Sequence, residues 1–243
     1  MIPRVIYYAW FGCNSLPTEA VKNIEGWKKL NPEFKIEKID ENNFDINKYS
    51  FTRKAYENKD WAFVSDVARL DIIYNNGGFY LDTDVELIKS LDSFIQCKSV
   101  WALENSDAIN PGSFFGAMKK DEDIAKILDI YGHKDYESGS DDMIIVPIIS
   151  NYFMQKGFKI QNKKQYLYNK TLILPTEFFT PFHYWGGGHI TKNTVGIHHF
   201  KGSWQDDHFT IAFKIKKQLM FLWPRIYCKV RKIREKIRSC RSK

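Results

Sequence analysis

Residues 77–84 read Gly77-Gly78-Phe79-Tyr80-Leu81-Asp82-Thr83-Asp84. Three apolar residues after a Gly-Gly turn spell a short buried strand, and that strand runs straight into two acids. In an extended segment, side chains at i and i+2 share a face, so Asp82 and Asp84 are expected to point the same way. Two carboxylates this close repel each other unless a cation lies between or beside them. Hard oxygen ligands suit Mg²⁺ or Mn²⁺. The end of a strand is also where open α/β sheets bind their ligands. An Asp-x-Asp triplet can equally be a solvated turn; here the apolar strand and the Gly-Gly turn bury the approach to it.

Upstream, residues 61–74 carry apolar side chains at Ala62, Val64, Val67, Leu70, Ile73 and Tyr74, which predicts a helix ended by Asn75-Asn76-Gly77-Gly78. Asp66 and Arg69 lie three apart on one face of it. They read either as a surface ion pair or as a pair aimed at a substrate, with Arg69 forked onto a phosphate or sugar. At the start of the chain, residues 5–10 form an apolar first strand. Thr18 to Leu30 has helical spacing with Thr18 as N-cap, Asn31-Pro32 stops it, and Phe34, Ile36 and Ile39 suggest a second strand. This β-loop-α-β order predicts an α/β fold with a largely parallel sheet.

Further along, a strand, a loop at Asn110-Pro111-Gly112 and a helix over residues 121–131 are expected. A polar loop at Ser138-Gly139-Ser140-Asp141-Asp142 precedes an apolar segment that reads as helix or strand. Residues 171–174 and 195–200 read as strands, and residues 181–189 as a loop. Asp141 and Asp142 are read as a solvated loop, with contact to an acceptor as the alternative.

The 243 residues are 44% hydrophobic and 16% aromatic, enough for a sizeable core, which excludes disorder throughout. Four scattered cysteines, Cys13, Cys97, Cys228 and Cys240, form no CxxC and are expected to be reduced thiols. The first residues do not have the form of a signal peptide, and no apolar run is long enough to span a bilayer. A cytoplasmic location follows as the expectation.

The net charge of +7 hides an asymmetry. From Ile211 onward there are 12 Lys and Arg against one acid, Glu235, whereas the preceding 210 residues hold 24 basic and 28 acidic groups. The expected organisation is a domain over residues 1–210 and a basic tail over 211–243. In the tail, Ile226, Tyr227, Val230, Ile233 and Ile237 recur at near-helical spacing among lysines and arginines, behind Phe221-Leu222-Trp223. A basic amphipathic helix of this kind fits the inner face of a membrane. Charge alone permits nucleic-acid binding, but no motif supports it.

Two blocks, Phe63-Val64-Ser65-Asp66-Val67-Ala68-Arg69-Leu70 and Tyr74-Asn75-Asn76-Gly77-Gly78-Phe79-Tyr80-Leu81-Asp82-Thr83-Asp84, together resemble the DxD-containing glycosyltransferase family 32. That family includes capsular and cell-wall polysaccharide transferases. The same blocks are similar to the glucosyltransferase domains of large clostridial toxins. The resemblance extends to Ile6-Tyr7-Tyr8-Ala9-Trp10-Phe11-Gly12 and to Ile197-His198-His199-Phe200-Lys201-Gly202-Ser203-Trp204, and so frames roughly residues 1 to 205. The family's first motif often has His where Tyr7 stands.

The resemblance implies a GT-A fold, a nucleotide-sugar donor with UDP favoured, a hexose transferred with retention of configuration, and a glycan or lipid-linked acceptor. It implies that Trp10 stacks on the donor base and that Asp66 and Arg69 hold the donor sugar and phosphate. Tyr80 and Asp82 would contact the nucleotide and sugar. Mn²⁺ or Mg²⁺ would be held by Asp82, Asp84 and His199, with Ser203 and Trp204 beside it at the diphosphate. His198 and His199 point to opposite faces if the segment is extended, so one at most reaches the metal. No GxGxxG follows the first strand, which leaves the diphosphate to the cation. The rival reading is a haloacid dehalogenase-like phosphatase, in which Asp82 of Asp82-Thr83-Asp84-Val85 would be the nucleophile.

Overall fold

The computed structural model of the protein describes residues 1–137, 140–183 and 187–201. Ser203, Trp204 and the 211–243 tail lie outside the described residues, as do Cys228 and Cys240. In chain order the elements are β1 (Val5–Ala9), α1 (Thr18–Leu30), β2 (Lys35–Ile39), α2 (Ser50–Glu57), α3 (Trp61–Asn76), β3 (Gly78–Tyr80) and β4 (Val85–Leu87). They continue with β5 (Ser99–Asn105), β6 (Ala108–Ile109), β7 (Phe115–Ala117), α4 (Glu122–Gly132), α5 (Ile145–Gln155), β8 (Gln165–Tyr166), β9 (Thr171–Leu174) and β10 (Gly196–His198).

The main sheet runs β2-β1-β3-β7-β5-β9-β8, with β6 paired to β5. β1 is parallel to β2 and β3, and β5 is parallel to β9. β7 runs antiparallel between β3 and β5, so the sheet is mixed where the sequence suggested a largely parallel one. The cause is local. β7 is reached from β5 through the short β6 excursion and the Asn110-Pro111-Gly112 loop, too little chain for a parallel crossover.

Each strand alternates its side chains between two cores. Tyr7, Tyr80, Trp101, Phe115 and Ile173 face the core covered by α2, α3, α4 and α5. Ile6, Phe79, Val100, Ala102 and Leu172 face the other core, which α1 covers with Ile24 and Trp27. There Phe114 stacks on Phe179 with ring centroids 3.9 Å apart, and Phe79 stacks on Phe114 at 5.8 Å. Each fully buried phenylalanine contributes about 1.5–3 kcal/mol of transfer free energy.

α1 begins at Thr18 as expected, but Pro17 occupies the cap position and no side chain caps the helix. α2 was not anticipated; it buries Phe51, Thr52 and Ala55 on one side of a single pair of turns, too short a pattern to stand out. The apolar segment after residue 144 is helical, α5. Among the described residues no helix is long and apolar enough to cross a membrane.

Two features of this sheet position the acidic pair. Gly77 and Gly78, at φ 70° and 121°, turn the chain sharply from α3 into β3. A side chain on Gly78 would also meet the Tyr7 ring at 2.9 Å. Beyond the acids, β4 pairs antiparallel with β10, His198 lying opposite Val85. The last described strand is thereby laid alongside Asp84.

Candidate active site

Backbone contacts from three directions fix the Asp82-Thr83-Asp84 segment. Leu81 N–H donates to Tyr7 O at 3.1 Å and Asp82 N–H to Gly112 O at 2.9 Å. From α1, Asn23 Nδ2 donates to Thr83 O at 2.9 Å and Trp27 Nε1 to Val85 O at 2.8 Å. β3 ends at Tyr80, so the acids lie on a turn beyond the strand, and Val85 N–H closes it onto Asp82 O at 3.0 Å. The convergence expected of an extended pair is reached by a turn instead.

Arg69 is the hub of the buried side. Its Nη1 lies 3.3 Å from Asp82 Oδ1 and its Nη2 3.1 Å from Asp66 Oδ1. Nε donates to Ser65 O and Nη2 to Ser65 Oγ, both at 3.0 Å. The guanidinium stacks over the Tyr80 ring at 4.6 Å, and Tyr80 OH donates to Asp82 Oδ1 at 3.0 Å. Asp66 and Arg69 are thus an interior network and not a surface ion pair.

Burial pushes the Asp66 carboxyl up to about 7; Arg69 opposes the rise and the Asp82 charge adds to it. Burial by itself would favour a neutral Arg69, but Asp82, Tyr80 and Asp66 together outweigh it and hold the guanidinium protonated. Burial, reinforced by Asp82, raises the Tyr80 phenol well above its ordinary value, so it stays a donor.

Asp82, Asp84 and His198 bring potential ligand atoms within 4.8 Å of one another. His198 Nε2 is 3.2 Å from Asp84 Oδ1, and its Nδ1 is 2.9 Å from Ser113 Oγ. Lys201 N–H donates to Asp84 Oδ2 at 2.8 Å, and its ammonium pairs with Glu19 on α1. Burial tends to lower the His198 pKa, but its hydrogen bond to Asp84 and the negative charges of Asp84, Asp82 and Glu104 together raise it. Two carboxylates and an imidazole are a donor set that fits Mn²⁺, and Mg²⁺ less closely because of its preference for oxygen.

The expected histidine is therefore displaced by one residue. His199 Nε2 bonds to Glu86 Oε2 at 3.0 Å, and the imidazole beside Asp84 is His198. His198 ends β10 and His199 follows it in extended chain, so the two neighbouring side chains face opposite ways.

Trp10 follows β1 at the same sheet edge as Asp82. Its ring is half-buried and its Nε1 donates to Asn14 O at 2.8 Å. Asp142 is exposed, in a short helical turn before α5. Gly112 was not expected to matter. A Cβ there would lie 2.2 Å from Asp82 Oδ2 and 3.1 Å from Arg69 Nη1, so only glycine leaves the carboxylate its place. Asn23 and Ser113 were missed too, because an isolated polar residue carries no periodic signal.

Residues 17–101 match the sequence model of a family described as the glycosyltransferase sugar-binding region containing a DXD motif. An uncharacterised glycosyltransferase of Acanthamoeba polyphaga mimivirus is 35% identical over 104 residues, 39% of this chain and 40% of that protein. The chain thus spans well under half the length of that curated relative. Among solved structures, the PaToxG glycosyltransferase superposes with a TM-score of 0.54 at 17% identity, covering 63% of this chain and 68% of its own. A glycosyltransferase involved in glycosylation of the major capsid of PBCV-1 gives 0.42 at 12% identity, over 90% and 99%. The fold is that of GT-A glycosyltransferases, an α/β domain with a mixed central sheet. Nothing favours the phosphatase reading, since the Asp82 carboxylate it would need as nucleophile is already held by Arg69 and Tyr80.

Two outcomes are expected. In calorimetric titration with Mn²⁺, His198→Ala weakens binding at least about tenfold, as loss of a ligand should, while His199→Ala binds like the parent. Equal weakening by both would return the role to the second histidine. In the metal-free protein, Asp66 binds its proton up to about pH 7 when folded, against a usual 3.8. The unfolded chain releases that proton first, so stability falls as pH rises across this interval and stays reduced above it. Asp66→Asn, which cannot ionise, should melt at least about 2 °C above the parent near pH 8 and show no such gain near pH 4. A gain of equal size at both pH values would refute the assignment.

Proposed function

We propose that the protein is a metal-dependent glycosyltransferase that moves a hexose from a nucleotide sugar, with UDP the favoured nucleotide, to a glycan or lipid-linked acceptor. The observation that carries this reading is the convergence of Asp82, Asp84 and His198 within 4.8 Å, beside a buried arginine. The match of residues 17–101 to a DXD sugar-binding region supports it.

Transfer leaves a nucleoside diphosphate, whose growing negative charge must be neutralised. Asp82, Asp84 and His198 would hold a divalent cation, which would supply that neutralisation as a Lewis acid. Arg69 is fixed by four residues before any substrate arrives, so it can face the diphosphate or the donor sugar without further ordering. Asp66 beside it can accept hydrogen bonds from sugar hydroxyls, and Trp10 offers its half-exposed ring to the base. The sugar centre becomes oxocarbenium-like, and retention of configuration follows from the family resemblance.

In this reading residues 1–210 are the catalytic domain, and the basic tail from 211 rests on the anionic inner face of a membrane. A role in surface polysaccharide synthesis would give the tail its use, by keeping the enzyme near lipid-linked acceptors.

Incubation with Mn²⁺ and a panel of UDP- and GDP-sugars should release the nucleoside diphosphate from one donor, and EDTA should stop it. Asp84→Asn should lower that turnover by at least about 100-fold, the size of a few kcal/mol of lost charge stabilisation. Turnover of p-nitrophenyl phosphate with no diphosphate release from any donor would replace this reading with a phosphatase. For the tail, co-sedimentation with vesicles containing phosphatidylserine is expected at low salt and should fade near 0.5 M NaCl. Equal binding to neutral vesicles would contradict an electrostatic anchor.

A further inference from the structure

The loop between β6 and β7 touches the cation-facing residues without supplying a ligand. Asn110 Nδ2 donates to Glu104 Oε2 at 2.7 Å, and Asn110 Oδ1 accepts from Gly112 N–H at 2.8 Å. The loop so braced gives Gly112 O to Asp82 N–H, and Ser113 Oγ to His198 Nδ1 at 2.9 Å. Ser113 is fully buried, and His198 is 7% exposed. No water can readily replace the hydroxyl at that nitrogen.

A neutral imidazole carries one proton, and a nitrogen that binds a metal must be bare. If His198 Nε2, beside Asp84, is the ligating atom, the proton belongs on Nδ1 and needs a buried acceptor. Ser113 Oγ lies within hydrogen-bond distance of it. A hydroxyl can donate as well as accept, so it also serves the opposite tautomer, in which Nε2–H faces the Asp84 carboxylate. Alanine serves neither tautomer.

We propose that Ser113 is a positioning residue for the cation site, accepting the Nδ1 proton of His198 so that Nε2 presents its lone pair beside Asp82 and Asp84. This rests on the metal-dependent reading above. It adds that the affinity of the site depends on a side chain that touches neither cation nor substrate. Loss of such an outer partner typically weakens metal binding 10- to 100-fold.

The test uses the full chain with Mn²⁺ alone, read by calorimetry and by the electron paramagnetic resonance signal of free Mn²⁺, with thermal melts to confirm folding. Ser113→Ala is expected to weaken Mn²⁺ binding roughly 10- to 100-fold, and Ser113→Thr, which keeps the hydroxyl, to stay close to the parent. Separately, ¹⁵N spectra of the His198 ring in the Mg²⁺-loaded parent should show the proton on Nδ1. Mn²⁺ binding unchanged in Ser113→Ala, equal losses in the Ala and Thr variants, or a protonated Nε2 in the loaded parent would each overturn the proposal. The first result, with tight binding by the parent, leaves the metal-dependent reading standing. A parent that binds no divalent cation removes both.

Discussion

The arrangement depends on one buried positive charge. Arg69 is 5% exposed, and an arginine that far from water is tolerable only when its donors are met. Asp66, Asp82, Ser65 and the face of Tyr80 meet them. The network also fixes the orientation of the Asp82 carboxylate, because guanidinium and phenol both bind Oδ1. A lysine could not do the same work, since the fork and the stacked plane are both in use. Helix, strand and loop are tied together here, as Asp66 and Arg69 come from α3, Tyr80 from β3, and Gly112 gives the loop its close approach.

Much of this was legible in residues 61–84. Helical spacing located α3, the glycines located its end, and the acids after an apolar strand located the site. Asp66 and Arg69 were seen to share a face, but whether that face met water or the interior depended on packing by α4 and on the ring of Tyr80. A spacing rule carries neither. The helices α1 and α3 and the strand β9 were similarly readable, because each is regular and bounded by Pro, Gly or Asn. The antiparallel β7 was not, since a short apolar strand reads alike in either direction.

The sequence reading took His199 for the ligand, whereas the imidazole beside Asp84 is His198. Alternation says that only one of them faces Asp84, but the register of β10 on β4 decides which. That register is set by the pairing of Val85 with His198 and by the bond from His198 N–H to Phe179 O. Gly112, Ser113 and Asn23 were invisible for a related reason. Each acts through one contact with a residue distant in the chain, where no local pattern announces it.

The pairing of β4 with β10 has an implication for biosynthesis. The segment that matches the sugar-binding family holds both carboxylates, yet the imidazole beside them belongs to the last strand described. A chain emerging from the ribosome would display Asp82 and Asp84 long before His198 existed, and contacts so far apart in sequence form late. If the site holds a cation as proposed, the acids alone would offer it an incomplete cage until that strand arrives. The topology would then act as a timer, withholding the third donor of the proposed cation site until nearly all of the described fold has been assembled.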